Sequence, residues 1–288
     1  MSLITDKIIH HPLVSIHSTK TWLFVPATKL TLIAKAFASG ADAVIVDLED
    51  TVAQKDKASA RAALSAHYHS KDYQPIWLRL NKAGTEAFTD DLALCQQLPK
   101  LAGVILSKAE QAADIESLYQ ATGLPVIALI ETALGLSQLQ AMAKATGLVA
   151  FSYGFLDLCH DLGVQVETPA ADIVANQIRY QLVVTSKAQQ LSAPIDSVYP
   201  NFNNEKGLFE RVKLWSQMGL SGMLCIHPKQ VATVRQALKP TAAALDFAKR
   251  VLAEYEHSGQ AVFQIDAQMI DAPVIERCRL LVAAATAL

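Results

Sequence analysis

A regular alternation of short apolar runs with longer helix-like segments is the feature that most constrains how this chain can fold. Consecutive apolar residues predict strands buried on both faces, as in a parallel sheet. The predicted strands span Trp22–Val25, Ala43–Val46, Ile76–Leu80, Gly103–Leu106, Val126–Ile130, Leu148–Phe151, Pro194–Val198 and Gly222–Ile226. Eight strands that alternate with helices predict a closed (β/α)8 TIM barrel. An open doubly wound sheet is the alternative, but neither GxGxxG nor GxxxxGK[ST] follows the first strand.

The connecting segments have the apolar spacing of helices, and Thr28–Ser39, for instance, is followed by Gly40 as a helix C-cap would be. The predicted helices are Thr28–Ser39, Lys55–His67, Thr85–Leu98, Ala112–Thr122, Leu136–Ala145, Ala170–Leu191 and Glu205–Met218. Beyond residue 240 we expect the helix Ala242–Glu256, the irregular segment Gly259–Gln268 and the helix Pro273–Ala285. We therefore expect a barrel domain with a short N-terminal leader, residues 1–240, and a C-terminal helical extension, residues 241–288, that packs on a neighbouring subunit.

Composition excludes several classes of protein. The chain is 51% hydrophobic and 18% charged, which fits a large core, and its net charge of −2 gives no footprint for nucleic acid or an acidic membrane. No apolar run reaches the roughly 18–20 residues that cross a bilayer, and Met1–Lys20 has no signal-peptide core. The four cysteines form no CxxC pair, which is typical of a reducing compartment. We expect a soluble cytoplasmic protein.

The segment Val44–Asp50 places three acids, Asp47, Glu49 and Asp50, at the end of an apolar strand. Acids at the carboxyl end of a buried strand point to a ligand site, although solvated acids at a helix start are the alternative. Other predicted strands also end in polar residues, namely Arg79, Asn81, Lys108, Glu131, Asp157 and His227. In a barrel all these ends converge on one face. Singly, each has a simpler explanation: Arg79 in a surface ion pair, Lys108 as a helix cap and His227 as a structural histidine.

Carboxylates beside a cationic side chain favour a hard metal ion. Mg²⁺ binds one or two carboxylates with waters and substrate oxygens. Glu131 and Asp157 follow consecutive strands and can share one ion, whereas the spacing of His and Cys disfavours zinc. An arginine such as Arg79, facing the metal, suits an oxyanion or an enolate.

Several ordered motifs resemble one known family over Leu23–Leu281. They are Leu23-Phe24-Val25-Pro26, Asp42 with Asp47-Leu48-Glu49-Asp50, Lys57 with Ala60-Arg61, Arg79-Leu80-Asn81, Ile130-Glu131-Thr132 with Gly135, Gly154 with Asp157-Leu158 and Asp161-Leu162-Gly163, Ile226-His227-Pro228 with Gln230, and Met269-Ile270-Asp271-Ala272-Pro273. The chain resembles the HpcH/HpaI aldolase–citrate lyase superfamily, in its citrate lyase β-subunit-like branch. The resemblance implies a (β/α)8 barrel that binds Mg²⁺ and forms homotrimers or homohexamers. It also implies a carbon–carbon lyase that cleaves or forms a 3-hydroxy-acyl thioester, linked to CoA or an acyl-carrier protein, through an enolate stabilised by the metal and Arg79.

The resemblance also implies roles for individual residues. Glu131 and Asp157 would hold Mg²⁺, and Arg79 would bind and polarise the oxygen of the 2-oxo acid. Glu49 would orient the site, and Asp271 would act as general acid/base in a neighbouring subunit. The expected catalytic residues are therefore Arg79, Asp271 and Glu49. The expected substrate-binding residues are Arg79, Asn81, Gly154, Asp50 and Lys108.

The chain departs from the family at a few positions away from the metal pair. Lys20-Thr21 replaces Arg-Ser, Ala27 replaces the Gly of Val-Pro-Gly, Ser107 replaces the Pro of Pro-Lys, and Asn203-Asn204 stands where relatives often carry an acid. These changes bear on the thioester carrier and the acyl chain. The alternatives are a malyl-CoA-type thioesterase, an aldolase acting on free 2-oxo acids, and a non-catalytic oligomeric subunit. The sequence leaves open the acyl group, CoA against carrier protein, trimer against hexamer, and the direction of the reaction.

Overall fold

The computed structural model describes residues 16–70, 74–98 and 100–286, and most of the expected N-terminal leader lies outside them. Eight parallel strands form a closed barrel in chain order, which confirms the predicted (β/α)8 fold. The strands are β1 Thr21–Pro26, β2 Ala43–Asp47, β3 Ile76–Leu80, β4 Leu101–Leu106, β5 Val126–Ile130, β6 Leu148–Tyr153, β7 Ile195–Asp196 and β8 Gly222–Cys225.

Helices connect successive strands, as parallel pairing requires. They are α1 Leu32–Ala38, α2 Lys57–Ser70, α3 Glu86–Gln97, α4 Ala112–Thr122, α5 Ala133–Ser137, α6 Leu139–Met142, α7 Phe155–Leu162, α8 Pro169–Ala188, α9 Glu205–Gln217 and α10 Pro228–Leu238. Three segments differ from expectation. The helix predicted at Leu136–Ala145 is replaced by the short α5 and α6, and α7 and α10 occupy segments for which no helix was predicted.

The barrel interior is filled by side chains from alternate positions of the strands. Trp22, Ile45, Trp77, Ile127 and Leu224 belong to one buried cluster there. The rings of Trp22 and Trp77 meet edge to face with their centroids 5.2 Å apart. Because successive residues of a strand point to opposite faces, the residue two places beyond each of these inner positions also faces inward. The inner face therefore continues from this apolar layer towards the carboxyl ends of the strands.

The C-terminal part forms a second compact unit, which begins at Gln236, while the barrel unit ends at Arg235. It contains α11 Ala242–Ser258, an antiparallel pair of β9 Phe263–Ile265 and β10 Gln268–Ile270, and α12 Ala272–Thr286. Its buried core includes Val251, Ile270 and Cys278. The expectation of an irregular Gly259–Gln268 is wrong, because this segment contains most of a hairpin.

None of the helices in the described ranges has both the length and the apolar character needed to span a bilayer. The four cysteines are buried, and all of them are free thiols.

Candidate active site

Charged side chains replace apolar ones on the inner face near the carboxyl ends of β2, β3 and β5. Asp47 follows Ile45 by two residues, Arg79 follows Trp77, and Glu131 follows Leu129, so each continues an inner-facing row. Asp47 and Arg79 are also register partners on adjacent parallel strands. All three are buried. Because buried charges need partners, their hydrogen bonds show how this layer is built.

Arg79 and Asp47 form a buried, two-pronged ion pair. Arg79 Nε donates to Asp47 Oδ1 and Arg79 Nη2 donates to Asp47 Oδ2, both at 2.7 Å. Burial alone would raise the pKa of Asp47, but the bonds from Arg79 hold it below its ordinary value. The remaining terminal nitrogen, Nη1, lies 3.2 Å from Glu49 Oε2, and the guanidinium stands 4.8 Å from the centroid of the Phe24 ring. Asp47 therefore fixes the plane of the guanidinium and leaves Nη1 turned towards the other acids.

Buried polar groups fix the backbone segment 48–50. Lys57 Nζ donates to Leu48 O at 2.8 Å, to Glu49 O at 2.9 Å and to Asn81 Oδ1 at 2.7 Å. The Asn81 side chain also donates to Leu48 O, and both its side chain and its backbone N–H donate to Asp91 Oδ2. These contacts give Asn81 a structural role beneath the segment, and its expected substrate contact stays a prediction. Lys57 and Asp91 had no assigned role in the sequence, although Lys57 belonged to a recognised motif.

Glu131 is buried in a space that Gly154 leaves open. A Cβ atom on Gly154 would overlap Glu131 Oε1 and would lie 2.7 Å from its Cγ. Glu131 Oε2 accepts a hydrogen bond of 3.0 Å from the backbone N–H of Lys108. Burial raises the pKa of Glu131 to about 8, and the nearby Arg79 opposes that rise. A carboxylate with a raised pKa needs a further positive charge to ionise fully at neutral pH.

Asp50, Glu131 and Asp157 bring their carboxylates together, with one oxygen from each lying within 4.8 Å of the others. Asp157 lies in the first turn of α7, whereas Asp50 follows β2 and is exposed. The sequence predicted Glu131 and Asp157 as metal ligands and Asp50 as a substrate contact. The geometry adds Asp50 to the group that can hold a metal.

Lys108 extends its ammonium group among these acids. Its Nζ lies 2.5 Å from Glu49 Oε1, 3.3 Å from Asp157 Oδ2 and 3.7 Å from Asp50 Oδ1. Partial burial would lower its pKa, but the surrounding carboxylates, Glu49 foremost, raise it. Its backbone has φ of +49°, a left-handed conformation that costs free energy in a residue other than glycine. That conformation accompanies contacts of both its N–H and its Nζ with acids of the site.

Two further predicted residues have local hydrogen-bond or ring partners of their own. Asp271 belongs to the C-terminal unit, where its Oδ1 accepts a 3.3 Å hydrogen bond from Val274 N at the start of α12. His227 stacks on Phe202, with ring centroids 4.7 Å apart, and its Nδ1 accepts from Lys229 N. Both side chains are only partly buried, so His227 is not a histidine of the buried core.

A parallel barrel with inward acids, one fixed arginine and one lysine at its carboxyl face defines a class of α/β-barrel protein suited to binding a metal and an oxyanion. The model of the HpcH/HpaI aldolase/citrate lyase family matches residues 20–228. The chain belongs to this family. The sequence-based recognition is thereby confirmed.

Relatives of known structure or description extend over most of the chain. A citrate lyase subunit beta-like protein of Mycobacterium tuberculosis is 35% identical over 262 residues, 88% of this chain and 91% of that protein. A (3S)-malyl-CoA thioesterase of Cereibacter sphaeroides is 30% identical over 261 residues, 88% of this chain and 90% of that protein. A crystal structure of the protein CitE from M. tuberculosis, in complex with magnesium, acetoacetate and coenzyme A, has a TM-score of 0.85 and 32% identity. The match covers 94% of this chain and 100% of the CitE chain.

Proposed function

We propose that this protein is a Mg²⁺-dependent carbon–carbon lyase, which cleaves or forms a 3-hydroxy-acyl thioester of the malyl, citramalyl or citryl type. Its products would be a 2-oxo acid and an acyl thioester. One observation carries the proposal: carboxylate oxygens of Asp50, Glu131 and Asp157 lie within 4.8 Å of one another. The fixed guanidinium of Arg79 lies on the same face of the barrel, 3.2 Å from Glu49. The magnesium and coenzyme A held by the M. tuberculosis relative support the same assignment.

The donor set fits Mg²⁺ on its own chemistry. The three clustered groups are carboxylates, and oxygen-only donors suit Mg²⁺ better than zinc or copper. Gly154 leaves the space in which the Glu131 carboxylate lies, and burial raises the pKa of that carboxyl, an effect that a bound cation would oppose. Glu131 and Asp157 would hold the ion, and Asp50 would complete the carboxylate set. When bound, Mg²⁺ would supply Lewis-acid polarisation of the substrate's carbonyl oxygen.

Arg79 would bind and polarise the oxygen at the reacting carbon. Its Nε and Nη2 are committed to Asp47, so Nη1 is the donor that faces the cluster. A guanidinium held in this way needs little reorganisation during reaction, which is the source of electrostatic stabilisation. Glu49 bridges Arg79 and Lys108, and it would keep both cations aimed at the substrate.

Bond cleavage requires proton transfers. The substrate hydroxyl loses its proton, the C–C bond breaks, and its electron pair passes to the thioester as an enolate that must be protonated. Asp271 of another copy would serve as that acid/base, as the family resemblance implies. The C-terminal extension would then pack on a neighbouring subunit of a homotrimer or homohexamer.

A thioesterase is the second candidate, and the (3S)-malyl-CoA thioesterase relative favours it specifically. In that reaction water attacks the thioester carbonyl and releases the thiol, while the hydroxy acid stays intact. The same oxyanion-binding groups would serve both reactions.

A coupled assay separates these functions. The purified protein with Mg²⁺ would be offered malyl-CoA, citramalyl-CoA and citryl-CoA, and both the 2-oxo acid and free thiol would be followed. A 2-oxo acid released together with an acyl-CoA is the expected result. Free thiol with an intact hydroxy acid would instead establish the thioesterase. No turnover of any of the three would contradict the CoA-lyase proposal and turn attention to carrier-protein substrates or free 2-oxo acids.

Mixing variants tests the shared site. Asp271→Ala and Arg79→Ala protomers are each expected to be inactive alone. Mixed oligomers should regain activity, because some sites then combine an intact Arg79 with an intact Asp271 from another copy. Absence of rescue in oligomers that demonstrably exchange subunits would rule out a contribution from Asp271 in trans.

A further inference from the structure

Ser107 carries a buried hydroxyl group that has no hydrogen-bond partner among the residues that the structure describes. The residue is fully buried, and within the described part of the chain its Oγ makes no hydrogen bond. Buried polar groups are normally hydrogen-bonded, because an unpaired one forfeits its interactions with water. Such an atom beside a candidate site is a marker of a missing hydrogen-bond partner.

Ser107 lies at the carboxyl end of a strand whose two neighbours carry or precede charged groups of the site. It follows the last residue of β4, the strand that lies between β3 and β5 in the barrel. Ile105 faces the barrel interior, so the two-residue period of a strand directs Ser107 inward as well. Arg79 lies on β3, opposite Ile105 in the strand register, and Glu131 follows β5. The next residue, Lys108, donates its backbone N–H to Glu131.

The other unpaired buried serine hydroxyl provides a contrast. Ser186 Oγ is also buried without a partner among the described residues, but Ser186 lies on α8, outside the strand barrel. Both serines lack a partner, yet only Ser107 continues the inner-facing rows that carry the charged site residues.

We propose that Ser107 is a specificity-determining residue whose hydroxyl hydrogen-bonds an oxygen of the 2-oxo-acid part of the substrate. The inference rests on the proposed function, because it requires an oxygen-rich ligand held beside Arg79 and Glu131. The hydroxyl can donate to a carboxylate oxygen or accept from a hydroxyl group of the ligand. Ser107 is not a metal ligand in this account, so its effect on ligand binding is separable from that on Mg²⁺.

The test uses the full-length protein and pyruvate as the probe. Pyruvate is titrated calorimetrically into wild type, Ser107→Ala and the matched control Ser186→Ala, each with and without saturating Mg²⁺. Ser107→Ala should weaken Mg²⁺-dependent pyruvate binding roughly tenfold, the scale of a lost hydrogen bond to a charged group. In a separate titration with Mg²⁺ alone, the Mg²⁺ affinity of Ser107→Ala should stay within about twofold of wild type. Ser186→Ala should match wild type in its affinity for pyruvate and for Mg²⁺. The thermal midpoint of ligand-free Ser107→Ala should not fall, because the hydroxyl has no internal partner.

Each contrary result has a distinct meaning. Unchanged pyruvate affinity in Ser107→Ala, with wild type binding normally, would overturn the role of Ser107 and leave the proposed function standing. Parallel losses of Mg²⁺ and pyruvate binding, or a drop in thermal midpoint, would overturn it by showing a structural role. Failure of wild type to bind pyruvate in a Mg²⁺-dependent way would count against the proposed site itself, and the inference would fall with it.

Discussion

Gly154→Ala tests how the barrel makes room for the Glu131 carboxylate. The added Cβ would lie 2.7 Å from Glu131 Cγ and 2.9 Å from Cδ, whereas ordinary contacts begin near 3.4 Å. The Cγ atom must therefore retreat by roughly 0.7 Å, and Oε1, which the new methyl overlaps, must move further. Glu131 is buried and bonded to Lys108 N–H, so it has little freedom to move without losing that bond.

The expected consequence is weaker Mg²⁺ binding. Mg²⁺ requires near-ideal octahedral geometry at about 2.0–2.1 Å, so a ligand displaced by this amount no longer coordinates well. Misplaced ligands typically cost about 10–100-fold in metal affinity, or roughly 1.4–2.8 kcal/mol. Isothermal titration calorimetry with Mg²⁺ measures the change directly.

Gly123→Ala is the control for general destabilisation. Gly123 ends α4 with φ of +68°, and a Cβ there would meet no atom within 4 Å. The substitution should cost about 1–2 kcal/mol of stability through its left-handed backbone, yet leave Mg²⁺ affinity unchanged. Wild-type Mg²⁺ affinity in Gly154→Ala would refute the reasoning about the Glu131 space.

Further predictions concern the charges of three residues, Glu131, Lys108 and Asp196. Because burial raises the pKa of Glu131 to about 8, Mg²⁺ binding should displace a proton, and affinity should rise about tenfold per pH unit up to pH 8. Without metal, the folded state holds that proton to higher pH than the unfolded chain. Its contribution to the free energy of unfolding should therefore fall as pH rises from about 4.5 to 8. In denaturant titrations, Glu131→Gln should remove this contribution, so that stability depends less steeply on pH than in wild type. Lys108→Met should raise Mg²⁺ affinity roughly tenfold, because the ammonium lies 3.3 Å from Asp157 and 3.7 Å from Asp50; unchanged calorimetric affinity would contradict this. Asp196→Asn should lower the free energy of unfolding by about 3–5 kcal/mol, because Asp196 neutralises Arg179 and Arg211 in the buried wall of the barrel. A thermal midpoint equal to that of wild type would contradict this prediction.

The barrel could be predicted from sequence because its strands are continuous apolar runs. The bounds of Ile76–Leu80 and Val126–Ile130 agree with expectation at both ends. The hairpin of β9 and β10 was missed for a physical reason. Its strands have three residues each, and its turn places Asp266 and Ala267 at φ of +49° and +62°, without the Asn-Gly or Asp-Gly pair that usually signals such a turn.

The candidate site was predictable as a set of residues, but the division of roles within it was not. The sequence placed acids at strand ends, yet the pairing of Asp47 with Arg79 depends on register between strands. The contact of Lys108 with Glu49 depends on an unusual backbone conformation, and the space beside Glu131 depends on where Gly154 approaches it. These are tertiary features with no local sequence signal. All the predicted site roles stay predictions: those of Arg79, Glu49, Asp271, Asn81, Gly154, Asp50 and Lys108, and those of Glu131 and Asp157 as metal ligands.

The most direct test of the central claim is a Mg²⁺ titration of wild type, Glu131→Gln, Asp157→Asn and Asp172→Asn by isothermal titration calorimetry. Asp172 is the matched control, because it is an exposed acid in the first turn of α8, just as Asp157 lies in the first turn of α7. We expect one Mg²⁺ site per chain, lost or strongly weakened in Glu131→Gln and Asp157→Asn and retained in Asp172→Asn. Wild-type affinity in both Glu131→Gln and Asp157→Asn would contradict the proposed metal site and the function built on it.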